Sequence, residues 1–591
     1  MYRFYQKIID NKEYYFIITV SILAGFYTLY NFLINDITLY HDPYYRFARA
    51  IQYDKTGSFY IIESIPWTKP FDFLLYYGAK LFQYTFYLNF NLALIVSGAV
   101  LCASCFGLSL FFGYKNATYL KFSKVSKIFI LISFLLMPEI YEYFFPLRVD
   151  HHMFLLMLGI LFWGLNLKVL ENNRADIHKY AIYSALVSAL AIWVHIEFLV
   201  LVAVFEIFLF LNWCFIDKKY KNILFIYNIL ITILLTAALI IENNGLTNFF
   251  VPVYDCLSIA QISIFLVLTI NSIFLYFFNI NTISYRFGIL IFLALLDMLV
   301  FYNIFGAGFF NPYAGLDVYA VKKFFPLISE FKPFIRPFNG AILVYVILLG
   351  ILIYSLIKNK SYEYFFKTNQ IDFLKNNYIN NFYLLSLFII LSLLMLKNVR
   401  WSYYVYPLLI FMVAPQIGIF IDKLDKRGLV FRFTASEFVY AFLVVNIIVN
   451  LGFTYRYFLM LVTPQSIRDE YKSKVECNNE IIDYIKHDIV KDFGEDKHLT
   501  IMIDSDYGPL VLYETPYKVL STNNHRNSKG MKIVKNFYEN KIDNENLAEL
   551  VKKYNISVFL TCKYQKFNNP SWLEQKKLES KYKFINLYML K

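Results

Sequence analysis

The sequence predicts a polytopic α-helical membrane protein of about 13 spans that carries a small α/β domain in its C-terminal part. Three observations lead to this prediction. Apolar residues make up 58% of the 591 residues and charged residues only 17%, whereas a soluble protein carries nearer a quarter of charged residues. Apolar runs recur at lengths near the ~20 residues that cross a bilayer as a helix. A long polar region follows the last of these runs.

The predicted spans follow one another along the first three quarters of the chain. The first run follows Lys7 and Lys12 and is long enough to remain as a span rather than to be cleaved as a signal peptide. The fifth and sixth runs are separated only by the polar break WVHIEF. The predicted spans are 14–34, 87–113, 128–146, 153–169, 180–194, 198–216, 223–241, 259–279, 286–304, 339–357, 381–397, 402–420 and 436–453. The sequence therefore divides into a multi-span domain, 1–453, and a C-terminal domain, 454–591.

The orientation follows from the lysines and arginines near the span ends, which are more frequent in the segments that share a side with the N-terminus. Because cytoplasmic loops carry this excess, we expect a cytoplasmic N-terminus. An odd number of spans then places the C-terminal domain on the outer side of the membrane. The net charge of +13 is accounted for by these loops, and nucleic acid is not an expected partner.

The C-terminal domain contains the strand-like runs LTIMID, YKVLS and ISVFLT between charged, helical stretches. We therefore expect a small α/β domain. Cys477 and Cys562 are its two cysteines, and they pair only if this domain lies outside the cytoplasm. Their spacing does not decide the question. Cys102, Cys105 and Cys214 lie in or beside spans, where we expect them to fill the apolar core.

The chemically capable residues fall on one side of the membrane when the spans are threaded in order. Ionisable groups near a bilayer are costly and usually functional, and a chance scatter would divide them between the two faces. The sequence therefore predicts a single polar site at the outer surface. The residues on this side are Asp42, Asp150, His151, His152, Glu197, Glu330 and Arg400.

Asp42 stands just outside the first span, beside His41 and before an amphipathic helix. A carboxylate in this place suits a divalent cation or a general base. The alternative is an interfacial loop in which Tyr40, Tyr44 and Tyr45 form an aromatic belt.

The third and fourth spans are joined by the short connection FFPLRVDHHMF, which holds Arg148, Asp150, His151 and His152. Aspartate and histidine are good ligands for first-row divalent metals. The alternative is a polar turn at the level of the lipid headgroups.

Two further outer segments contribute. The loop 305–338 is longer than a simple connector and holds Glu330; long loops in compact folds are usually functional, although an interfacial helix would also fit. Arg400 lies in KNVRWSYYVYP, where its planar fork suits a phosphate. The alternative for Arg400 is a snorkelling arginine beside Trp401. Glu197 in WVHIEF could bind a metal ion or the donor, or could simply mark the tip of a hairpin.

The order of these parts resembles the catalytic subunit of oligosaccharyltransferases and related membrane glycosyltransferases of the GT-C type. The stretch 41–46 (HDPYYR) is similar to their first-loop DPY-like motif, and 150–152 (DHH) stands where they carry D-x-D or D-x-E. The stretch 327–333 (LISEFKP) matches their mobile-loop motif S-V-S-E-x-x-P, and Arg400 matches an arginine on the eleventh span.

A closer likeness is to bacterial relatives with the pattern R-[IV]-D-H-H, matched here by 148–152, and with a tryptophan-containing first loop like 66–72 (PWTKPFD). Two departures stand out. The W-W-D-Y-G motif that reads the acceptor sequon is reduced to 506–508 (DYG), so the acceptor need not be an Asn-x-Ser/Thr protein. Histidine replaces the usual second carboxylate, which favours softer ions.

The resemblance implies a glycosyltransferase that moves a sugar or oligosaccharide from a polyprenyl-(pyro)phosphate carrier to a glycan, lipid or protein acceptor. It implies Asp42, Asp150 and Glu330 as catalytic residues. It implies that Asp42, Asp150 and His152 hold a Mn²⁺ or Mg²⁺ ion, unless His152 stabilises the phosphate instead. The residues implied to contact substrate are Arg400, Arg46, His151, Tyr403 and Glu197.

The rival interpretation is a transporter or flippase of a lipid-linked glycan. Such proteins place their binding sites near the bilayer midplane and often contain inverted repeats. A scaffold without activity is a third interpretation. The gathering of charges at one rim of the predicted spans favours the enzyme.

Overall fold

The structure, a computed structural model, describes most of the chain. It describes residues 41–59, 68–144, 148–171, 176–243, 245, 248–278, 280–306, 332–335, 341–358, 378–426, 442, 444–451, 465–495, 499–522, 527–539, 541–563, 565 and 570–590, with 19, 22 and 23.

The first part of the chain is helical. Its helices are α1 (His41–Thr56), α2 (Pro70–Phe86), α3 (Phe90–Tyr119), α4 (Lys124–Leu136), α5 (Pro138–Tyr141), α6 (His151–Leu170), α7 (Ile177–Val194), α8 (Leu199–Phe215), α9 (Tyr220–Glu242), α10 (Ile259–Phe277), α11 (Ile283–Phe305), α12 (Ala341–Lys358), α13 (Tyr378–Lys397) and α14 (Ser402–Lys426). Short 3₁₀ turns occupy Glu142–Phe144, Ile196–Phe198 and Val399–Trp401.

Within the described ranges, nine helices are long and apolar enough to cross a membrane. The apolar part of α12, Ala341–Tyr354, is a shorter one. The chain is therefore a multi-pass membrane protein, as predicted. The predicted spans 14–34 and 436–453 lie largely outside the described residues, so the count of 13 stays a prediction.

The predicted span 128–146 is divided in the structure. Helix α4 ends at Leu136, and Met137 is extended at φ −79°, ψ 117°. The cause is Pro138, because a proline disfavours the helical conformation of the residue before it. The chain then turns through α5 and the 3₁₀ turn Glu142–Phe144 toward Asp150. The polar connection is thus longer than predicted.

The polar break WVHIEF is confirmed as the boundary between two spans. Helix α7 ends at Val194, His195 is extended at φ −158°, ψ 133°, and the 3₁₀ turn Ile196–Phe198 leads into α8. This arrangement brings His195 and Glu197 to the ends of the two helices.

The amphipathic helix expected after Asp42 is α1. A second helix in the same loop, α2, was not predicted; it begins at Pro70, whose fixed φ suits the first position of a helix. The loop between the first and second predicted spans therefore folds into two helices that pack on each other and on α3.

The C-terminal domain is α/β, as predicted. Its five strands form one sheet in the order β2-β1-β3-β5-β4, with β1 parallel to both neighbours and the other pairs antiparallel. The three predicted strand runs are β1, β2 and β3, whereas β4 and β5 were not predicted. The elements are α15 (Gln465–His487), α16 (Ile489–Phe493), β1 (Thr500–Met502), α17 (Gly508–Glu514), β2 (Lys518–Val519), α18 (Ser528–Tyr538), α19 (Asn544–Tyr554), β3 (Ile556–Cys562), β4 (Leu573–Lys576) and β5 (Ile585–Leu590).

Helices cover both faces of this sheet. One face packs Met502 and Phe559 against Val534 of α18 and Leu547 of α19. On the other face, Cys477 of α15 forms a disulfide with Cys562 at the end of β3, with a Cα–Cα distance of 5.9 Å. The pairing that the spacing left open is therefore present. Cys102, Cys105 and Cys214 are buried, as expected.

Candidate active site

Asp150 stands at the start of helix α6. Its backbone is extended at φ −134°, ψ 156°, and its Oδ1 accepts a hydrogen bond from the backbone N–H of His151 at 2.6 Å. An aspartate suits this N-terminal position because a helix leaves its first N–H groups without an intrahelical acceptor. Only 2% of Asp150 is exposed, so its carboxylate is held in a protein interior.

The two histidines that follow belong to the first turn of α6 and are also buried. Nδ1 of His151 contacts Oδ1 of Asp150, and Nε2 of His152 lies 3.5 Å from Oδ2 of the same carboxylate. Ligand atoms from the three side chains lie within 4.8 Å of one another. We call this group the Asp-His-His cluster.

Aromatic rings enclose the Asp-His-His cluster. The His152 ring lies 5.1 Å from the ring of Tyr403 and 6.3 Å from that of Tyr143. The ring of His195 stacks on His151 at a centroid distance of 4.9 Å. These contacts join the start of α6 to the α7–α8 boundary and to α14.

A buried ionic group borders the cluster on the side of the first loop. Arg46 of α1 places Nη2 3.2 Å from Nδ1 of His151. Its Nη1 donates to Asp72 of α2 at 2.8 Å, and Nη2 of Arg49 lies 2.7 Å from the second oxygen of Asp72. We call Arg46, Arg49 and Asp72 the ionic triad.

A second ion pair is connected to the cluster through Tyr403 and His195. Nε of Arg400 is 2.5 Å from Oε1 of Glu197. The other oxygen of Glu197 accepts the Tyr403 hydroxyl at 3.3 Å and lies 3.7 Å from Nδ1 of His195. Glu197 therefore has three polar partners, so it does more than mark the tip of a hairpin.

The structure thus brings together five segments that are far apart in sequence. The predicted site residues that meet here are Arg46, Asp150, His151, His152, Glu197, Arg400 and Tyr403. For Asp42 the structure describes the helical backbone in the first turn of α1 and not the side chain.

Glu330 lies outside the described residues. Two positions further on, the carbonyl oxygen of Lys332 accepts the N–H of Val399, next to Arg400, at 2.9 Å. The N–H of Phe334 donates to the carbonyl of Leu396 at 3.3 Å. The described end of the long loop therefore pairs with the backbone beside Arg400.

Sequence reasoning missed three residues of this region, Arg49, Asp72 and His195. Arg49 follows Arg46 by three positions, which places both on one face of a helix. Asp72 lies in the stretch PWTKPFD, for which the sequence predicts no site residue. His195 lies in WVHIEF, in which the sequence predicts a site role for Glu197 alone. Polar residues at helical spacing in a predicted amphipathic helix were the available signal.

The stretch Asp506-Tyr507-Gly508 lies at the start of α17 in the C-terminal domain. A side-chain carbon at Gly508 would collide with the carbonyl oxygen of Ser521, which explains the glycine sterically. Helix α17 packs on α1, where the Tyr513 ring lies 5.4 Å from Tyr44 and 5.6 Å from Phe47. This segment is therefore anchored to the helix that contributes Arg46.

The donor set of the Asp-His-His cluster fits a divalent metal ion. One carboxylate and two imidazoles form a three-ligand set of the kind that catalytic sites use while keeping a position for substrate. The imidazoles favour a borderline ion such as Zn²⁺ over Mg²⁺, which prefers oxygen ligands. Asp150 and His152 of the predicted metal ligands are in this set, and His151 joins them.

Comparison with solved structures identifies the fold. The chain superimposes on AglB from Archaeoglobus fulgidus, solved with an inhibitory peptide and a dolichol-phosphate, with a TM-score of 0.64 over 93% of this chain and 70% of that chain, at 14% identity. The fold is that of the archaeal oligosaccharyltransferase AglB. The predicted GT-C-type architecture is thereby confirmed.

Two further structures of the A. fulgidus oligosaccharyltransferase show the same fold. One is tethered to an acceptor peptide with an NVT sequon and matches with a TM-score of 0.60, 14% identity and coverage of 93% and 69%. The other is a complex with Zn and sulfate and matches with a TM-score of 0.57, 13% identity and coverage of 92% and 68%. No protein-family model matches this chain, and no curated protein matches it in sequence.

Proposed function

We propose that this protein is a membrane glycosyltransferase. It transfers a sugar or oligosaccharide from a polyprenyl-(pyro)phosphate carrier to a glycan, lipid or protein acceptor at the outer face of a bacterial inner membrane. The observation that carries this proposal is the continuous network that joins the buried Asp-His-His cluster to Arg400 through His195, Glu197 and Tyr403. In this proposal the cluster would bind a cation and Arg400 would bind a phosphate, and the network connects the two groups within an oligosaccharyltransferase fold.

The reaction breaks the bond between an anomeric carbon and a phosphate oxygen. Negative charge then develops on the departing phosphate, and groups that stabilise it must already be in place. Arg400 suits this task because guanidinium binds phosphate through two parallel donors. The ion pair with Glu197 holds this guanidinium near the Asp-His-His cluster.

Asp150, His151 and His152 would hold a divalent cation, with Asp42 as a further ligand. A bound cation supplies Lewis-acid stabilisation of phosphate charge and a template for the substrates. The similar solved structures support these assignments. One A. fulgidus structure contains a dolichol-phosphate, and another contains Zn and sulfate.

The acceptor must be held and, if it is a hydroxyl, deprotonated. Asp42 and Glu330 are proposed for these roles, with Asp42 as the base. Arg46, His151 and Tyr403 would contact the substrates from the sides of the site. The loop 305–338 would close over them, as catalytic lids do.

The disulfide Cys477–Cys562 supports the proposed orientation. Disulfides persist in oxidising compartments such as the periplasm and are rare in the cytosol. The C-terminal domain packs on α1 through α17, so the first loop and this domain share one side of the membrane. The N-terminus would then be cytoplasmic.

A flippase is the second candidate because two carboxyl side chains lie inside spans. Glu206 of α8 is 4% exposed, and the amide of Asn228 donates to it at 3.5 Å. Asp297 of α11 accepts from the amide of Asn271 at 2.8 Å. Buried carboxylates in membrane spans mark ion pathways in many transporters.

The experiment uses the full-length protein purified in a mild detergent and a membrane extract of the source cell, which supplies polyprenyl-linked glycan donors together with the native acceptors. Mass spectrometry follows the loss of glycan from the carrier with wild type, Asp150→Asn and Asp543→Asn, each with and without EDTA. Asp543 is the matched control because it also caps a helix, accepting from Asn546 N–H at 2.8 Å in the C-terminal domain.

Wild type and Asp543→Asn should release glycan, Asp150→Asn should not, and EDTA should stop the release. Release that persists in EDTA would support the transferase and contradict the requirement for a metal ion. Equal release by Asp150→Asn and wild type would overturn the proposed site.

A further inference from the structure

The ionic triad is a buried group with an unequal number of charges. Asp72 is fully buried in the first turn of α2 and is shared by Arg46 and Arg49, which are 2% and 1% exposed. Two guanidinium cations and one carboxylate leave a net charge of +1. Asp72 therefore joins both guanidinium groups to the start of α2 within the protein interior.

Arg46 extends from the triad to the Asp-His-His cluster. Its Nη2 lies 3.2 Å from Nδ1 of His151, and this nitrogen also contacts Asp150. A guanidinium donates and does not accept. Arg46 therefore needs an acceptor. If Asp72 no longer bound Arg46, the Asp150 carboxylate, which contacts the same His151 nitrogen, would be an acceptor within reach.

The start of α2 is fixed independently of the triad. The backbone N–H of Lys69 donates to the side-chain carboxylate of Glu242 at 3.1 Å. The ammonium group of Lys69 donates to the backbone carbonyl of Glu242 at 2.6 Å. Trp193 donates to the same carboxylate at 2.8 Å. The ends of α7 and α9 therefore set the position from which Asp72 reaches Arg46.

We propose that Asp72 is a positioning residue for the cation site: it holds Arg46 against His151 and keeps this guanidinium from pairing with the Asp150 carboxylate. Asp150 then stays available to the divalent cation. This inference rests on the proposed function and assigns a role to the noted stretch PWTKPFD. Without Asp72, Arg46 competes with the cation for Asp150.

Two double variants test the inference at constant net charge. Asp72→Asn with Arg49→Gln keeps Arg46 and removes the Asp72 carboxylate that holds it, whereas Asp72→Asn with Arg46→Gln keeps only Arg49. Each variant keeps the triad at +1, so a general electrostatic or packing effect would be similar in both. Free Mn²⁺ is titrated by electron paramagnetic resonance against each full-length protein in detergent.

Asp54→Asn is the matched control. Asp54 of α1 pairs with Lys80 of α2 at 2.6 Å and so joins the same two helices without belonging to the triad. Losing this pair tests whether any weakened contact between α1 and α2 alters the site.

The variant that keeps Arg46 alone should raise the Kd for Mn²⁺ by about tenfold or more, which is the usual size of an outer-sphere effect on a metal site. The variant that keeps Arg49 alone should stay within about threefold of wild type, and Asp54→Asn within about twofold. Equal Kd values for the two double variants would overturn the inference.

Absence of Mn²⁺ binding by wild type would also overturn it. The glycan-release assay separates this failure from failure of the proposed function, because a metal-independent transferase would still release glycan from its carrier.

Discussion

Nε of Arg400 lies 2.5 Å from Oε1 of Glu197, although the two residues come from different spans far apart in the sequence. Glu197 also accepts the hydroxyl of Tyr403. The carboxylate therefore connects the guanidinium to Tyr403 and so to the Asp-His-His cluster, beside which we propose that the donor phosphate binds.

We expect Arg400→Gln to lower kcat for glycan release by about 10²–10³-fold, because removing one preorganised donor to a developing anion has an effect of this size. Tyr403→Phe, which removes one hydrogen bond to Glu197, should have a smaller effect. Initial rates at several donor concentrations measure both. Lys397→Gln, an exposed cation at the end of α13, is the control. Activity of Arg400→Gln near that of the control would refute the phosphate role.

The disulfide should stabilise the C-terminal domain substantially. It closes a loop with a sequence separation of 85, for which the chain-entropy model gives about 4–5 kcal/mol. Cys477→Ser with Cys562→Ser should therefore lower the unfolding midpoint of the full-length protein. Cys256→Ser, a cysteine outside the disulfide, should leave the midpoint nearly unchanged. A double variant as stable as wild type would show that the bond contributes little.

The C-terminal domain should also show an unusual pH dependence at Asp504. Burial, assisted by the neighbouring carboxylate of Asp506, raises the pKa of Asp504 to about 6. The folded domain then binds a proton that the unfolded chain releases near pH 4. Its contribution to stability is present below pH 4 and is lost as the pH rises to about 6.

Thermal unfolding of wild type and Asp504→Asn from pH 4 to pH 8 measures this dependence. The variant should gain stability relative to wild type as the pH rises. Asp488→Asn should be less stable than wild type by an amount that stays nearly constant over this range, because hydrogen bonds from Lys491 and Lys581 hold the pKa of Asp488 below its usual range. That stabilisation is present above pH 4 and is lost in acid. A difference between Asp504→Asn and wild type that does not vary with pH would contradict the assignment.

Run length and charge were sufficient to predict the multi-pass architecture, since the cost of exposing a backbone to lipid forces apolar runs into helices. The same runs could not show that Pro138 divides the third predicted span. Strands β1 to β3 were readable because they are apolar. The polar sequence of β4, LEQK, hid an edge strand whose pairing with β5 is set by tertiary contact.

The sequence predicts on which side of the membrane the site residues lie, but it does not predict which of them are in contact. Asp150, His152 and Arg400 were found because ionisable residues are rare at span ends. Asp72 and Arg49 lie in a loop where charged residues are common, and only the packing of α1 on α2 pairs them. His195 acquires its significance from stacking on His151, which no spacing in the sequence encodes.

The most direct test of the glycosyltransferase is performed in detergent, where no two compartments exist and a flippase has no measurable reaction. Wild type, Asp150→Asn and Glu206→Gln receive a lipid-linked donor with an isotopically labelled sugar and a membrane extract of the source cell as the source of acceptor. The label on the carrier and on the acceptor fraction is followed over time. The label should leave the carrier with wild type and Glu206→Gln and remain with Asp150→Asn. Label that stays on the carrier with every protein, but crosses the bilayer of wild-type proteoliposomes and fails to cross with Glu206→Gln, would contradict the transferase and establish the flippase.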